Sequence, residues 1–357
     1  MANRIDVLEE RLRHVEARTQ RILQAAATPV PPPEPHETWW AHVVAFYGNE
    51  DLLFQRVNID KQAFLDLLAL VQEVSWERRG RQGVIRTNRE RLFFVMTFLS
   101  MGIRVLEALV ARFIRTRDHV VRLLKKIADR FLPVLKAGLV RFRNEAVPDA
   151  PGCSMAIDCT VCQMKRPAMH FDDAMAHFRG KHGLYCLKKE VCLNIRSGTA
   201  ATVSKSFPGS VTDIEVLRSH AAEVNAILDG TSMLADLGYR GVQTDVPTIV
   251  VCDRERVHNR TRRVFVECYF GRLKRMCSVF ATRWKFGEPA FDTFFDLACC
   301  ITNADVLRRP LREEDKAFND GVMNLIRLER EATLRDYRER NERYRQRRNN
   351  ELRLFQN

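Results

Sequence analysis

The 357-residue chain has no run of eighteen uninterrupted apolar residues. Its best candidates, Leu92–Met96 and Phe294–Ile301, are too short to span a bilayer. The opening MANRIDVLEERLRHVEAR has no apolar core behind basic residues, so no secretory address is expected. Nothing matches G-x-x-x-x-G-K-[ST], which argues against an NTPase, and serine-hydrolase and cysteine-nucleophile motifs are missing too. No internal repeat is visible. The ten cysteines all fall between Cys153 and Cys300, in apolar segments, without the dense even spacing of a disulfide scaffold. They are expected to be reduced core thiols of an intracellular protein. With 46% apolar and 29% charged residues, the composition excludes wholesale disorder, and the length suits one large domain or two ordinary ones.

Positive charge is in excess, at 58 Lys and Arg against 45 Asp and Glu, a formal net of +13. Nucleic acid is the first polyanion to consider. The excess is concentrated: residues 76–145 carry 17 basic and 6 acidic residues, whereas 312–357 carry 12 and 10. The first segment is also rich in Leu, Val and Phe, so it reads as a folded basic surface. The second reads as a solvated helix.

Along the chain, Ile5, Leu8, Leu12, Val15, Thr19 and Ile22 form a short heptad seam, either a self-associating helix or a solvated one. The run Thr28–Pro35 (TPVPPPEP) is a proline-rich spacer. From Trp39 to Phe142 the pattern is helical. Asp60 is placed to cap a helix with Phe64, Leu67, Leu68 and Val71 on one face. Arg89–Leu99 follows, then a break at Met101-Gly102, a short helix Val105–Ile114 and a long helix from about Arg117 to Leu135. Short helix, turn and longer basic helix is a helix-turn-helix outline, and an ordinary bundle with a basic exterior is the alternative. In the long helix Val120, Val121, Leu124, Ile127 and Phe131 are expected inside. Arg115, Arg117, His119, Arg122, Lys125 and Lys126 are left outside as DNA-binding candidates.

Beyond Cys153 the texture becomes α/β. Strands are expected at Cys153–Asp158, Leu184–Ile195 and Ala200–Phe207, then a helix at Thr212–Leu228, strands Ser232–Ala235 and Thr248–Val251, and a helix from about Asn259 to Phe280. Three acids sit where chemistry is often placed. Asp158 closes the strand SMAID, Asp236 closes SMLAD before a turn, and Glu267 lies in a helix among Val264, Val266, Phe270 and Leu273, which points it inward or to a cleft edge. Acids from strand ends and a helix can converge to hold hard divalent ions, which want oxygen ligands. Each also has a structural alternative, a turn cap or an Arg partner. Asp213 is a candidate helix N-terminal residue favoured by the dipole. Cys159-x₂-Cys162, with His170, His177 and His182 downstream, raises zinc, but the spacing is too short for a C₂H₂ finger.

Four ordered blocks resemble a DDE transposase of the PIF/Harbinger type: AIDCT (Ala156–Thr160) with MKRP ending at Pro167; RGKHGLYCLK (Arg179–Lys188); FPGSVTDIEVLR (Phe207–Arg218); and LADLGYRG (Leu234–Gly241) with VFVECYFGRLKR (Val264–Arg275). The run ACCITNADVLRRPLR also looks familial, and the resemblance covers roughly Trp39 to Arg312. It implies an RNase H-like mixed sheet as the catalytic domain, with Asp158, Asp236 and Glu267 as catalytic and metal-binding triad for two Mg²⁺ or Mn²⁺ ions. Asp213 is kept as an accessory acid. Thirty residues separate Asp236 from Glu267, close to the family's spacing. Arg263, Glu267 and Lys274 match R-x₃-E-x₆-K, which implies DNA contacts for Arg263 and Lys274; Arg260 stands where that signature has Tyr. The division implied is a helical arm 1–27, a linker 28–38, an all-α helix-turn-helix-type domain 39–146, a catalytic domain 147–311 and a charged C-terminal helix 312–357. The resemblance further implies hydrolysis at transposon ends, joining of the 3′-hydroxyl to double-stranded target DNA, a homodimer or larger assembly, a Myb-like DNA-binding partner and a nuclear location. A domesticated DNA-binding or partner-binding protein is the alternative. Arg338–Asn350 reads as a nuclear address or a solvated helix.

Overall fold

The computed structural model describes residues 39–354 except 57, 77–84, 112, 115, 144–151, 169 and 253–256. The expected arm and proline spacer, and Arg115, lie outside the described residues. No described helix is long and apolar enough to cross a membrane.

The helical half begins with α1 (Trp39–Tyr47), α2 (Glu50–Arg56), α3 (Lys61–Val71) and α4 (Asn88–Met101). Asp60 caps α3 as expected, its carboxylate accepting from the Ala63 N–H at 2.8 Å. Thr87 and Glu90 close a capping box on α4, which pins its start. Residues 92–99 of α4 are all buried, so this helix runs through the core. It stops at Gly102, whose φ of 83° is open to glycine and costly for other residues. Then come α5 (Ile103–Val110) and α6 (Arg117–Leu139). Helix α6 buries Val120, Leu124, Ile127 and Phe131 and leaves Arg117, His119, Arg122, Lys125 and Lys126 exposed.

The second half is a mixed α/β unit. It contains β1 (Cys153–Gln163), α7 (Phe171–Met175), β2 (Phe178–Arg179), β3 (Leu184–Asn194), β4 (Ala200–Val203), β5 (Phe207–Pro208), α8 (Asp213–Arg218), α9 (Ala221–Leu228), β6 (Ser232–Ala235), β7 (Ile249–Val251), α10 (Val257–Met276), α11 (Glu288–Arg308) and α12 (Lys316–Leu354). The seven-stranded sheet runs β2-β3-β1-β6-β7, with β4 and β5 also on β3. Strands β1 and β3 pair antiparallel, while β1, β6 and β7 are parallel. Strand β1 runs five residues past Asp158, because β3 continues to pair with it as far as Gln163↔Cys186. The expected strand 200–207 splits in two. The expected helix 212–228 breaks near Ser219 and His220, where α8 ends and α9 begins.

Alternation along the strands sorts the core into two. Ala156, Leu187, Val191, Leu193 and Leu234 join one large core with helices α1 to α6 and α10 to α12. Met155, Ile157, Cys192, Met233 and Ala235 form a smaller core against α8 and α9. Helix α11 lies between sheet and bundle, packing on α6, α3, α12, α10 and β4. At its centre the buried Asn303 donates to the carbonyls of Leu139 (2.9 Å) and Ala200 (3.0 Å). It also accepts from the Ala200 N–H and the Tyr269 hydroxyl, both at 2.8 Å. One side chain thereby ties α6, β4, α10 and α11 together.

Candidate active site

Strand β6 stops at Ala235, while β1 continues. The last paired residues are Ala156 and Leu234, so Asp158 and Asp236 each lie two residues beyond a paired position on neighbouring parallel strands. Both are partly buried. On one side of β1 the chain goes on to β3, and on the other lie β6 and β7. Crevices at such switch points, outside the carboxyl ends of parallel strands, are where α/β sheets bind ligands. Asp158 is therefore a mid-strand residue, and the departure of β6 opens the edge beside it. By alternation Asp158 takes the face of Ala156, towards the large core and α10. One of its carboxylate oxygens accepts from the Cys159 N–H at 2.7 Å.

Asp236 caps the short 3₁₀ turn Leu237–Tyr239, accepting from the Gly238 N–H at 2.8 Å. A Cβ on Gly238 would stand 2.9 Å from Asp236 Oδ1 and 3.4 Å from Asp213 Oδ2. Those two oxygens thus lie within about 6 Å of each other. Asp213 opens α8 behind its N-cap Thr212, as expected for a helix N-terminal acid, and also pairs at 2.7 Å with Lys188, which is 1% exposed. Gly238 matters for this close approach. Gly238→Ala is expected to displace the Asp236 carboxylate and lower the DNA nicking that the resemblance implies at least tenfold. The unfolding free energy should change by less than about 1 kcal/mol, since the position is exposed. Nicking rates measured beside urea midpoints check both parts.

Glu267 sits differently. In α10, Phe265, Val266, Tyr269, Phe270 and Leu273 are buried, while Glu267, Cys268, Gly271 and Arg275 form the exposed stripe. Glu267 is therefore not directed into the core, although α10 packs on β1, β3 and β6. Lys274, two turns or about 10 Å further along nearly the same face, donates from Nζ to the Val161 carbonyl of β1 at 2.8 Å. The side chains of Arg260 and Arg263 lie outside those described.

Three consecutive charged residues of β3 escaped the sequence reading: Lys188, Lys189 and Glu190, each 1% exposed. Lys189 faces α11, pairing with Asp292 at 2.8 Å and Asp296 at 3.1 Å. Glu190 lies on the other face, opposite Cys159. It accepts from the Tyr239 hydroxyl at 3.0 Å and pairs with His220 Nε2 at 2.9 Å. Burial raises the Glu190 pKa, and the contacts with His220 and Tyr239 pull it back only in part. Burial disfavours the His220 charge, but Glu190 outweighs it, so the His220 pKa is raised. This pair anchors Tyr239, three residues after Asp236, and so holds the turn that carries Asp236. The only sequence signal was three charged residues inside an otherwise apolar strand.

Cys159 and Cys162 are three apart on β1, so their side chains take opposite faces and cannot share one ion. Cys162 is buried in the large core, which pushes its thiol up to about 11. His177 is spent on Glu288, at 2.6 Å. The cysteines are free and mostly buried, with Cys268 exposed.

Asp236 and Asp213, close to each other, and Asp158 on the neighbouring strand are hard oxygen donors, the donor chemistry that Mg²⁺ or Mn²⁺ takes. Among the described residues no group of three or more His, Cys, Asp or Glu stands in ready metal-binding geometry. Residues 157–303, about two fifths of the chain, match the family model of the DDE superfamily endonucleases. No curated protein and no solved structure matches the chain. The matched segment contains Asp158, Asp213, Asp236 and Glu267, and the match supports an endonuclease function.

Proposed function

We propose that this chain is a metal-dependent DNA endonuclease working as a transposase of the PIF/Harbinger type. The observation that carries the reading is the side-by-side placement of Asp158 and Asp236 where β6 leaves the sheet, inside the matched segment. Asp158, Asp236 and Glu267 are the residues that would hold two divalent ions, with Asp213 as accessory acid. Such ions, when bound, activate water and stabilise the leaving oxygen of a phosphodiester. The protein's own work is placement. The Cys159 and Gly238 N–H groups orient two carboxylates, and the Glu190–His220 pair holds the turn. The released 3′-hydroxyl then attacks target DNA, and no covalent protein intermediate is required.

In this reading the sheet, in the order β3-β1-β6-β7, is RNase H-like, and residues 147–311 are the catalytic domain. The all-α segment 39–146, with its helix-turn-helix-type pair α5 and α6, presents transposon-end DNA. Its exposed row Arg117, His119, Arg122, Lys125 and Lys126, with Arg115, binds phosphates; Arg263 and Lys274 serve near the scissile bond. The assembly is a homodimer or larger, because two ends must meet, with a Myb-like partner and a nuclear location. Arg122→Ala and Lys125→Ala are each expected to weaken duplex binding uniformly across sequences. Each should also lower the slope of log affinity against log salt by about one, checked by a salt titration.

The test of the function is a Mg²⁺- or Mn²⁺-dependent nicking assay on duplex DNA, with binding followed in parallel. Nicking that requires the ion supports the reading. Tight binding with no nicking, with or without Myb-like proteins added, overturns it in favour of a domesticated DNA-binding module.

A further inference from the structure

Beside the acids lies an open cleft of about 400 Å³ between the β2–β3 hairpin and the loop leading into α8. That is within the range of about 300–1,000 Å³ typical of small-ligand sites. Phe178, Arg179, Lys188, Val211 and Asp213 form its walls, and Gly238 belongs to its lining. Because Gly238 is the residue pressed against Asp236 and Asp213, the cleft is continuous with the candidate active site.

Its charge is unequal. Lys188 is neutralised by Asp213 and also donates to the Val211 carbonyl. The Arg179 guanidinium has no ion-pair partner among the described residues. Lys181, in the Gly180–His182 turn between β2 and β3, is exposed. Burial, together with the charges of Arg179, Lys181 and Lys274, lowers the pKa of His182, as a local positive field does. The apolar side is aromatic. The ring of Phe178 meets Tyr185 edge-on at 5.4 Å. Arg166 lies over Tyr185 at 5.9 Å and over Phe171 at 5.5 Å, and Phe171 is 56% exposed. Rings and cations thus alternate outward from the cleft. Grooves that hold single-stranded nucleic acid combine these groups: cations for the backbone and rings for base faces. A base inside a duplex offers its face only to its neighbours, so a cleft of this size and lining selects a base that has left the stack.

We propose that this cleft receives an unpaired nucleotide of the DNA strand flanking the bond to be cut, its base against Phe178 and its phosphate on Arg179. The proposal rests on the endonuclease reading for the identity of the strand, but its test reads binding alone. The full-length protein is titrated, without Mg²⁺ or Mn²⁺, into a fluorescein-labelled blunt duplex and into the same duplex bearing a short single-stranded tail. Wild type is expected to prefer the tailed duplex by roughly tenfold, the scale of one base stacked on an aromatic ring. Phe178→Ala and Arg179→Ala should each bring the tailed-to-blunt ratio close to one. Phe178→Tyr, which keeps the ring, should retain the preference, and thermal melts of every variant confirm folding. The proposal is overturned by a wild-type ratio near one, or by a ratio unchanged in both alanine variants. A protein that shows the preference and never nicks DNA keeps the cleft and loses the endonuclease reading; one that nicks without the preference does the reverse.

Discussion

Asp158→Ala is expected to reduce metal-dependent nicking by about a thousandfold or more while leaving duplex binding largely intact. A carboxylate holding the catalytic ion accounts for several kcal/mol of transition-state stabilisation, and each 1.36 kcal/mol is about tenfold in rate. Folding should survive, because Asp158 is only partly buried, beside the edge that β6 leaves open. Asp236→Ala should behave alike, with some additional loss because its carboxylate also caps the Leu237–Tyr239 turn. Asp213→Ala is the discriminating comparison. It strips the counter-charge from buried Lys188, so it should destabilise the fold by about 3 kcal/mol or more. Single-turnover nicking rates beside denaturation curves separate the two effects. If Asp236→Ala cleaves at the wild-type rate, Asp213 takes its place as the second acid.

The largest stability effect is expected at Asn303. Truncation to Ala leaves the Leu139 carbonyl and both the N–H and C=O of Ala200 without this partner. Tyr269 keeps only its bond to the Cys299 carbonyl, at 3.2 Å. Buried polar groups left without partners cost about 1–3 kcal/mol each, so a loss of roughly 3–5 kcal/mol follows. Asn303→Asp should be at least as damaging, since it removes both donors and sets a carboxylate beside the carbonyls of Leu139 and Ala200 in the core. Urea unfolding followed by far-UV circular dichroism and by Trp fluorescence checks this. The two signals should move together, because Asn303 and α11 join the bundle to the sheet.

Much of this was legible in the sequence. Periodicity placed the helices from Asp60 to Leu135, because one-sided burial leaves a 3.6-residue trace. The strand Ser232–Ala235 was found residue for residue, between a turn and an acid. The inward and outward faces of α6 were assigned correctly at the described positions that the pattern named, except that Val121 is only partly buried. Strand β1 was cut short at Asp158, because a charged residue within an apolar run reads as an end. Only the pairing with β3 shows that the strand continues. Glu267 was expected inward or at a cleft edge; adjacent helical residues point about 100° apart, and its exposed position leaves the second of these.

By itself, then, the sequence determined the composition class, the helix-then-α/β order, the basic face of α6, and which acids to ask about. Those follow from local propensity, periodicity and charge, which act over a few residues. Tertiary structure decided which acids stand together. Asp158 and Asp236 are 78 residues apart in the chain and come onto neighbouring strands, each two residues past a paired position, only because β1 and β6 pair in parallel. It also decided why Lys188, Lys189 and Glu190 can be buried. Their partners Asp213, Asp292, Asp296, His220 and Tyr239 come from four other segments of the chain. A buried charge is tolerated only where its counter-charge arrives, and that is a property of the folded chain.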